Sequence, residues 1–439
     1  MRQARAAVAA VDPALRLKKY LAAVRTGGAI VAPIVTKAGS AVFVIPGGAT
    51  NIGADDIVWI DSFAHKDLAR ILNGEPGVSQ SSGWLRAYAQ SNQELRNWSR
   101  VISRTGAVVW DEFFAPIHAR LTKLGLSVGA PLTLLPTAGL SVLPLHACWR
   151  EENGVTKYLA EDYTISYCPS AMVMASSSQK LMRRQLDHSE TSKSLLVVAN
   201  PTGDLAFATL EGQAVAARGE PSKTHLLAGA EASWSEVARR FEGCDYIHFA
   251  CHGKYDPIYP MRSFLTLAPP PELPGVSGLL RLHELMVTWD NATRLVTLSA
   301  CETGVADIAY APSKFTGLPS GWLRTGAIAV ISSLWPVDDL CTMLLMERLY
   351  QGLFPSASGP DSTVAMRPDA ALRAAQLWLK KLTCAEVDER LAVLQHQHGL
   401  TAELRDMIDS RREDFASGPG SSKPFSQPFW WAGFLCSGV

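Results

Sequence analysis

The hydrophobic positions of this chain fall into short runs bounded by turn-forming residues. From residue 131 onward they read LTLLP, YTISYCP, SLLVVANP, YIHFACHG, RLVTLSACETG and AIAVISSLWPV. Runs of this length, rich in β-favouring residues and closed by Gly, Pro, Asn or Asp, predict strands buried on both faces. Between several of them lie segments with helical spacing: LEGQAVAARGE, SWSEVARRFEG and LCTMLLMERLYQGL. Strands alternating with helices predict an α/β domain built on a mostly parallel sheet flanked by helices.

The first 130 residues have a different texture. Asp12-Pro13 makes an N-cap and first-turn pair, and Leu15, Leu17, Leu21 and Val24 form a helical stripe up to Gly27-Gly28. AIVAPIVTKAGSAVFVIPGGAT then predicts a hairpin, and residues 55–130 read as mixed and then mainly helical. We therefore expect a small N-terminal α+β module over 1–130 and the α/β domain over 131–439. Residues 1–130 show no repeat of thirty-odd residues. Residues 367–412 read as helical, with Asp369 and Thr401 as N-caps and Gly399 as a stop. The Gly/Ser/Pro-rich stretch within 413–427 predicts a mobile loop, and PFWWAGFLCSGV a closing strand.

Composition narrows the function classes. The 439 residues are 47% hydrophobic and 19% charged, as in ordinary globular chains. Lys+Arg and Asp+Glu are equal at 41 each, so no global field would hold nucleic acid or an anionic membrane. Eight cysteines, at 148, 168, 244, 251, 301, 341, 384 and 436, are scattered and form no C-x-x-C pair. That pattern predicts a reducing, cytoplasmic setting and offers neither a zinc ribbon nor a disulfide framework. The N-terminus lacks the apolar core of a signal peptide, and no run approaches the length of a membrane span.

Two strand tips carry the candidate chemistry. YIHFACHGKYDP places His252 and Gly253 at the end of one buried strand, and RLVTLSACETG places Cys301 and Gly304 at the end of another. Functional groups in open α/β sheets gather at the carboxyl ends of strands. An imidazole that takes or stabilises a thiol's proton turns cysteine into a nucleophile. Gly253 and Cys301 could offer backbone N–H groups to an oxyanion. A buried cysteine or a histidine on its own is more often packing; the pair, each at a tip and followed by a glycine-bearing turn, favours chemistry. His248 shares the strand face of His252, but Phe249 breaks any H-E-x-x-H metal pattern, so His248 is expected to support the core and no metal or cofactor is expected. Cys251 should point to the opposite face, into packing. Glu302 either orients the loop or lies exposed. There is no phosphate-binding loop, and PGVSG does not satisfy G-x-S-x-G.

HFACHG and LSACETG, in this order, resemble the two signature blocks of the CHAT family, caspase-like cysteine peptidases related to separases. PLTLLPTAGLSVLPLHA, YTISYCPSA, LLVVANPTGDLAFATLEGQAVAA, SSLWPVDD and PFWWAGFLCSG are similar to further family blocks. The likeness covers 131–439, with a weaker echo in the hairpin at 29–49. It implies a caspase-like fold with His252 as base and Cys301 as nucleophile, and the spacing of about fifty residues matches caspases. The resemblance implies no need for a carboxylate to orient the histidine. Asp256, the nearest candidate, reads as a turn residue.

Separase-like relatives place an acidic residue against a P1 arginine where this chain has Asp338 and Asp339, with Asp339 aligning better. The resemblance thus implies cleavage after Arg, less often Lys. Ser332 to Val337, Ser333 included, would pair with an extended substrate, with Trp335 as a wall. The opposing reading makes the VDD sequence a helix cap. Lys314, Arg411, Arg412 and Lys423 are then candidate self-cleavage sites, and the loops around 254–263, 303–320 and 413–427 are expected to be disordered. The family implies a regulated protease with a protein substrate and a regulatory protein partner, in a prokaryotic defence or cell-death setting. A catalytically silent scaffold and a cysteine-dependent acyltransferase are the rival classes.

Overall fold

The computed structural model describes residues 13–75, 83–91, 93–186, 193–256, 259–272, 275–288, 293–300, 317–355, 364–396, 400–416 and 419–439. The N-terminal hairpin forms as expected: β1 (Ala29–Val35) pairs antiparallel with β2 (Ser40–Pro46), which pairs antiparallel with β3 (Ile57–Ile60). After a largely helical stretch come β4 (Ala130–Leu134), the small hairpin β5 (Trp149–Glu152) and β6 (Val155–Tyr158), then β7 (Tyr163–Tyr167), β8 (Leu195–Ala199), β9 (Thr224–Ala228) and β10 (Tyr246–Ala250). A three-stranded side sheet, β11 (Gly253–Lys254), β12 (Phe264–Thr266) and β13 (Leu279–Arg281), follows directly. The remaining strands are β14 (Leu295–Ser299), β15 (Ala329–Ser333) and β16 (Phe434–Gly438).

Among the described residues, eleven strands join in one sheet, in the order β3-β2-β1-β4-β7-β16-β15-β14-β10-β8-β9. It is antiparallel at β1–β2, β2–β3 and β15–β16 and parallel elsewhere. The PFWWAGFLCSGV block supplies β16, which lies between β15 and β7 and is buried at every position. A central strand packs on both faces, which is why that block is apolar throughout.

Strand alternation splits the core in two. Leu195, Val197, Leu295, Ala329 and Ile331 enter one cluster, while Leu196, Val198, Val296, Leu298 and Val330 enter the other. The first cluster is closed by helices Ala206–Ala216, Asp339–Leu353 and Pro368–Leu379, and the second by Trp234–Phe241 and Leu318–Arg324. Successive strand residues point to opposite faces, so an unbroken apolar run feeds both layers.

β4 starts at Ala130. β1 pairs parallel with β4 through Ala29–Val31, so the N-terminal module adds three strands to the edge of the main sheet. Val31, Val44, Phe63 and Trp98 share one core cluster with Leu132 and Trp335. Without these strands β4 would present an unpaired edge. The 413–427 stretch is a loop only in part: residues 419–427 form turns without helix or strand. Residues up to Ala416 belong to the helix Ala402–Ala416, and Phe425 is buried against Phe415 and Trp430. Residues 303–316 lie outside the described residues, whereas 317–320 lead into the helix Leu318–Arg324.

Candidate active site

The carboxyl ends of β8, β10 and β14 lie side by side. Ala250 pairs with Ala199 on one side and Ser299 on the other, and Cys251 N–H extends the ladder to the Ser299 carbonyl at 3.3 Å. His252 follows, with 45% of its side chain exposed. Its own carbonyl accepts from Thr266 N–H at 2.8 Å, which ties the turn at His252 to the side sheet. Gly253 opens β11, paired with Leu265. On the β14 side Ala300 is buried, and its carbonyl accepts from the Ser333 hydroxyl at 2.6 Å. Ser333 is fully buried and fixes the residue before Cys301; Cys301 itself lies outside the described residues.

A further group at this edge carries no motif that marks it in the sequence. Asp204, in the loop after β8, places both carboxylate oxygens 3.1 Å from His252 Nε2. Asp256 instead accepts from Tyr259 N–H at 2.8 Å, as a turn residue does.

The two acidic residues after β15 divide their tasks. Asp338 caps the helix Asp339–Leu353: Oδ1 accepts from Cys341 N–H at 3.1 Å, and Oδ2 accepts from Arg411 at 2.8 Å. Asp339 reaches solvent, yet partial burial, then the Asp338 and Glu211 charges, holds its carboxyl above the usual range. Among the described residues, no side-chain cation pairs with it directly. Trp335, expected as a pocket wall, is fully buried: its indole N–H donates to the Phe429 carbonyl at 3.1 Å, and it packs edge-on against Trp84 and Trp98. β15 is flanked by β14 and β16, so Ser332 and Ser333 already pair with Leu435 and Phe434. The apolar run does form a strand, but its central place in the sheet leaves no edge there for a substrate.

A family model described as the CHAT domain matches residues 103–439. The chain belongs to the CHAT-domain family. The matched region starts within the helix Leu95–Val109. No curated protein matches the sequence. Among solved structures, the CHAT chain resembles separase of Saccharomyces cerevisiae in its complex with securin. One such structure gives a TM-score of 0.52 at 11% identity over 97% of this chain and 31% of separase. A second gives 0.53 at 9% identity over 83% and 29%. The chain thus spans about a third of the length of separase, and the likeness is one of fold: a caspase-like, mostly parallel sheet flanked by helices. The Arg-specific cysteine proteinase gingipain R is a more distant match, with a TM-score of 0.39 at 10% identity over 77% of this chain and 67% of that one.

Beneath the candidate site of this CHAT domain lies a buried polar network. His248 Nε2 is 2.8 Å from Glu211 Oε1, both residues are buried, and the His248 ring stands edge-on to Tyr350 at 5.2 Å. Tyr350 in turn donates to the Thr297 hydroxyl at 3.2 Å. Glu211 comes from the helix Ala206–Ala216, which lies close on β8 because of Gly212, where a Cβ would stand 2.4 Å from the Ala199 Cβ. Sequence reading missed Glu211 because it sits in an apolar helix with no motif around it.

The seven described cysteines are all buried and none forms a disulfide. Burial pushes the Cys168 and Cys436 thiols up to about 12 and Cys244 up to about 11, so none of these three is suited to form a thiolate. Of the candidate cleavage sites, Arg411 and Arg412 lie within a helix, and Arg412 also bonds Asp388 at 2.7 Å. Lys423 is exposed, and Lys314 lies outside the described residues. No described helix is long and apolar enough to cross a membrane.

Proposed function

We propose that this CHAT protein is a cysteine endopeptidase in which His252 and Cys301 form the catalytic dyad. One observation carries the reading: the β10–β14 ladder extends to Cys251 and Ser299, one residue before His252 and two before Cys301. The exposed imidazole at that edge supports it. His252 takes the thiol proton, and the thiolate attacks the scissile carbonyl. The N–H groups of Gly253 and Cys301 receive the oxyanion. Collapse expels the amine, which takes its proton from the imidazolium. Water then attacks the thioester with His252 as base and releases the acid.

Asp339 receives a basic P1 side chain, Arg in preference to Lys. The support is electrostatic: three carboxylates, Asp338, Asp339 and Glu211, interact here, and Asp338 is already committed to its helix and to Arg411. An arriving guanidinium relieves that repulsion through a charge-assisted bond. The protease acts on a protein substrate under the control of a protein partner, in a prokaryotic defence or cell-death setting, a context supported by the family resemblance. Buried thiols that form no disulfide support a reducing cytoplasm.

A peptide mixture with all twenty residues at P1, together with a peptidyl chloromethyl ketone, tests the reading on wild type and Cys301→Ala. Cleavage after Arg or Lys and labelling at Cys301, both lost in the variant, are expected. Labelling without hydrolysis but with acyl transfer to an added amine indicates the acyltransferase. Neither labelling nor cleavage sinks the enzyme and leaves a scaffold.

A further inference from the structure

We infer that Asp204 is the positioning residue of His252, so that the carboxyl ends of β8, β10 and β14 supply, in spatial order, an orienting carboxylate, a base and a nucleophile. The inference rests on the peptidase reading above and adds a third member to a dyad expected to work without one.

The geometry fixes more than proximity. The Thr202 hydroxyl bond and His252 hold the Asp204 carboxyl below its usual range, so it is ionised and can only accept. With both oxygens at 3.1 Å, the atom between them must carry the hydrogen: Nε2 is the protonated nitrogen. In the neutral imidazole the free lone pair is then on Nδ1. The thiol S–H bond of Cys301 breaks as an Nδ1–H bond forms, and the imidazolium that results keeps its Nε2–H on Asp204. The same Nδ1–H later protonates the leaving amine. A carboxylate that fixes one ring nitrogen chooses the tautomer and orients the other.

The loop that presents Asp204 is built to hold it. Asn200 adopts a left-handed φ of 45° at the end of β8. Its Oδ1 accepts from Leu205 N–H at 2.9 Å, its Nδ2 donates to the Thr209 hydroxyl at 3.0 Å, and its backbone N–H donates to Ala250 O at 2.8 Å. Asp204 therefore sits between a residue clamped by Asn200 and a bond to Thr202, and the clamp is anchored to β10 two residues before His252. Asn tolerates that φ better than other non-glycine residues. Asp204 is 63% exposed and His252 45%, so the pair contributes little to folding, and its removal leaves a folded chain to test. Among the described residues, Asp339, at the start of its helix, also feels the charge of His252.

The experiment compares wild type, Asp204→Asn and Asp204→Glu in full-length protein, by peptide hydrolysis and by iodoacetamide alkylation of Cys301 across pH. Asp204→Asn is expected to lower kcat about 10–100-fold with KM unchanged, and Asp204→Glu to recover most of the loss. The pH profile of hydrolysis is expected to change in Asp204→Asn and to return towards that of wild type in Asp204→Glu. Histidine 15N spectra, which need no activity, should show the Nε2-protonated tautomer for His252 in wild type and a mixture in Asp204→Asn. Active wild type with an unchanged Asp204→Asn profile overturns the positioning role alone. So does an Nδ1-protonated His252, or a kcat loss that Glu does not recover and that leaves the pH profile in place. Wild type that neither cleaves nor alkylates at Cys301 overturns the peptidase reading, and this inference with it.

Discussion

Arg411 donates to Asp338 across 2.8 Å, and the bond joins the helix Ala402–Ala416 to the residue that caps the helix Asp339–Leu353. Both Asp338 oxygens are thereby occupied, one by Cys341 N–H and one by the guanidinium. The acidic dipeptide that the sequence left ambiguous separates into a structural member and an available one.

That division predicts opposite phenotypes. Asp339→Ala should lower kcat/KM on P1-Arg peptides by about 10–100-fold, the worth of a charge-assisted hydrogen bond of about 1.5–3 kcal/mol. P1-neutral peptides should be little affected. Asp338→Ala should cost about 1 kcal/mol of stability through the lost cap and leave P1 selectivity intact. Because burial and its acidic neighbours raise the Asp339 carboxyl, the P1-Arg preference should weaken as pH falls through that raised value, and in Asp339→Asn the pH dependence should vanish. Equal losses in the two alanine variants would remove Asp339 from the pocket.

The Glu211–His248 pair is a separate matter of stability. Removing one partner of a buried hydrogen-bonded pair leaves the other unsatisfied, at about 1–3 kcal/mol. Glu211→Ala is expected to lose that much in urea unfolding, while Glu211→Gln, which can still hydrogen-bond His248, should lose less. If Glu211→Ala unfolds like wild type, the pair is not an ionic or hydrogen-bonded unit in solution.

What could be read from the sequence follows from what one-dimensional patterns encode. Apolar runs closed by turn residues located β4, β7, β8, β10, β14 and β15, and the abrupt ends of YIHFACHG and RLVTLSACETG pointed to one edge of the sheet. Asp204 escaped because PTGD reads as an ordinary turn and its partner is 48 residues away. Trp335 was misjudged because periodicity shows that a strand is buried without showing its neighbours. The continuity of β1 with β4 was hidden for the same reason, since pairing between segments about a hundred residues apart leaves no local mark.

Thiol counting tests the nucleophile independently of any substrate. The seven described cysteines are buried and should react with a thiol reagent only on unfolding. Native protein is therefore expected to show one fast-reacting thiol, lost in Cys301→Ala. Two or more fast thiols, or one that survives the substitution, would disqualify Cys301 as the distinct reactive group.

His146 predicts how stability responds to acid. Its Nε2–H donates to the Ala432 carbonyl at 3.1 Å, so Nδ1 accepts from the Tyr167 hydroxyl at 2.8 Å, while that hydroxyl accepts from His146 N–H at 2.9 Å. Burial in this cradle lowers its pKa to about 4. The unfolded chain, with an ordinary value of 6.5, therefore binds a proton that the folded chain refuses between those two values. Stability is complete above about 6.5 and falls as pH drops towards about 4, by about 3 kcal/mol in all. The carboxylates act lower on the scale. Against the opposing pull of burial, His118, Arg150 and Lys157 hold Asp162 low, and Arg25 and Arg367 hold Asp369 low, so their contributions are lost only below the ordinary carboxylate range. Urea midpoints between pH 7.5 and 4.5 should fall steeply in wild type and less in His146→Gln, which keeps a donor for Ala432 but cannot be protonated. Parallel curves for the two proteins would assign the acid sensitivity to another group.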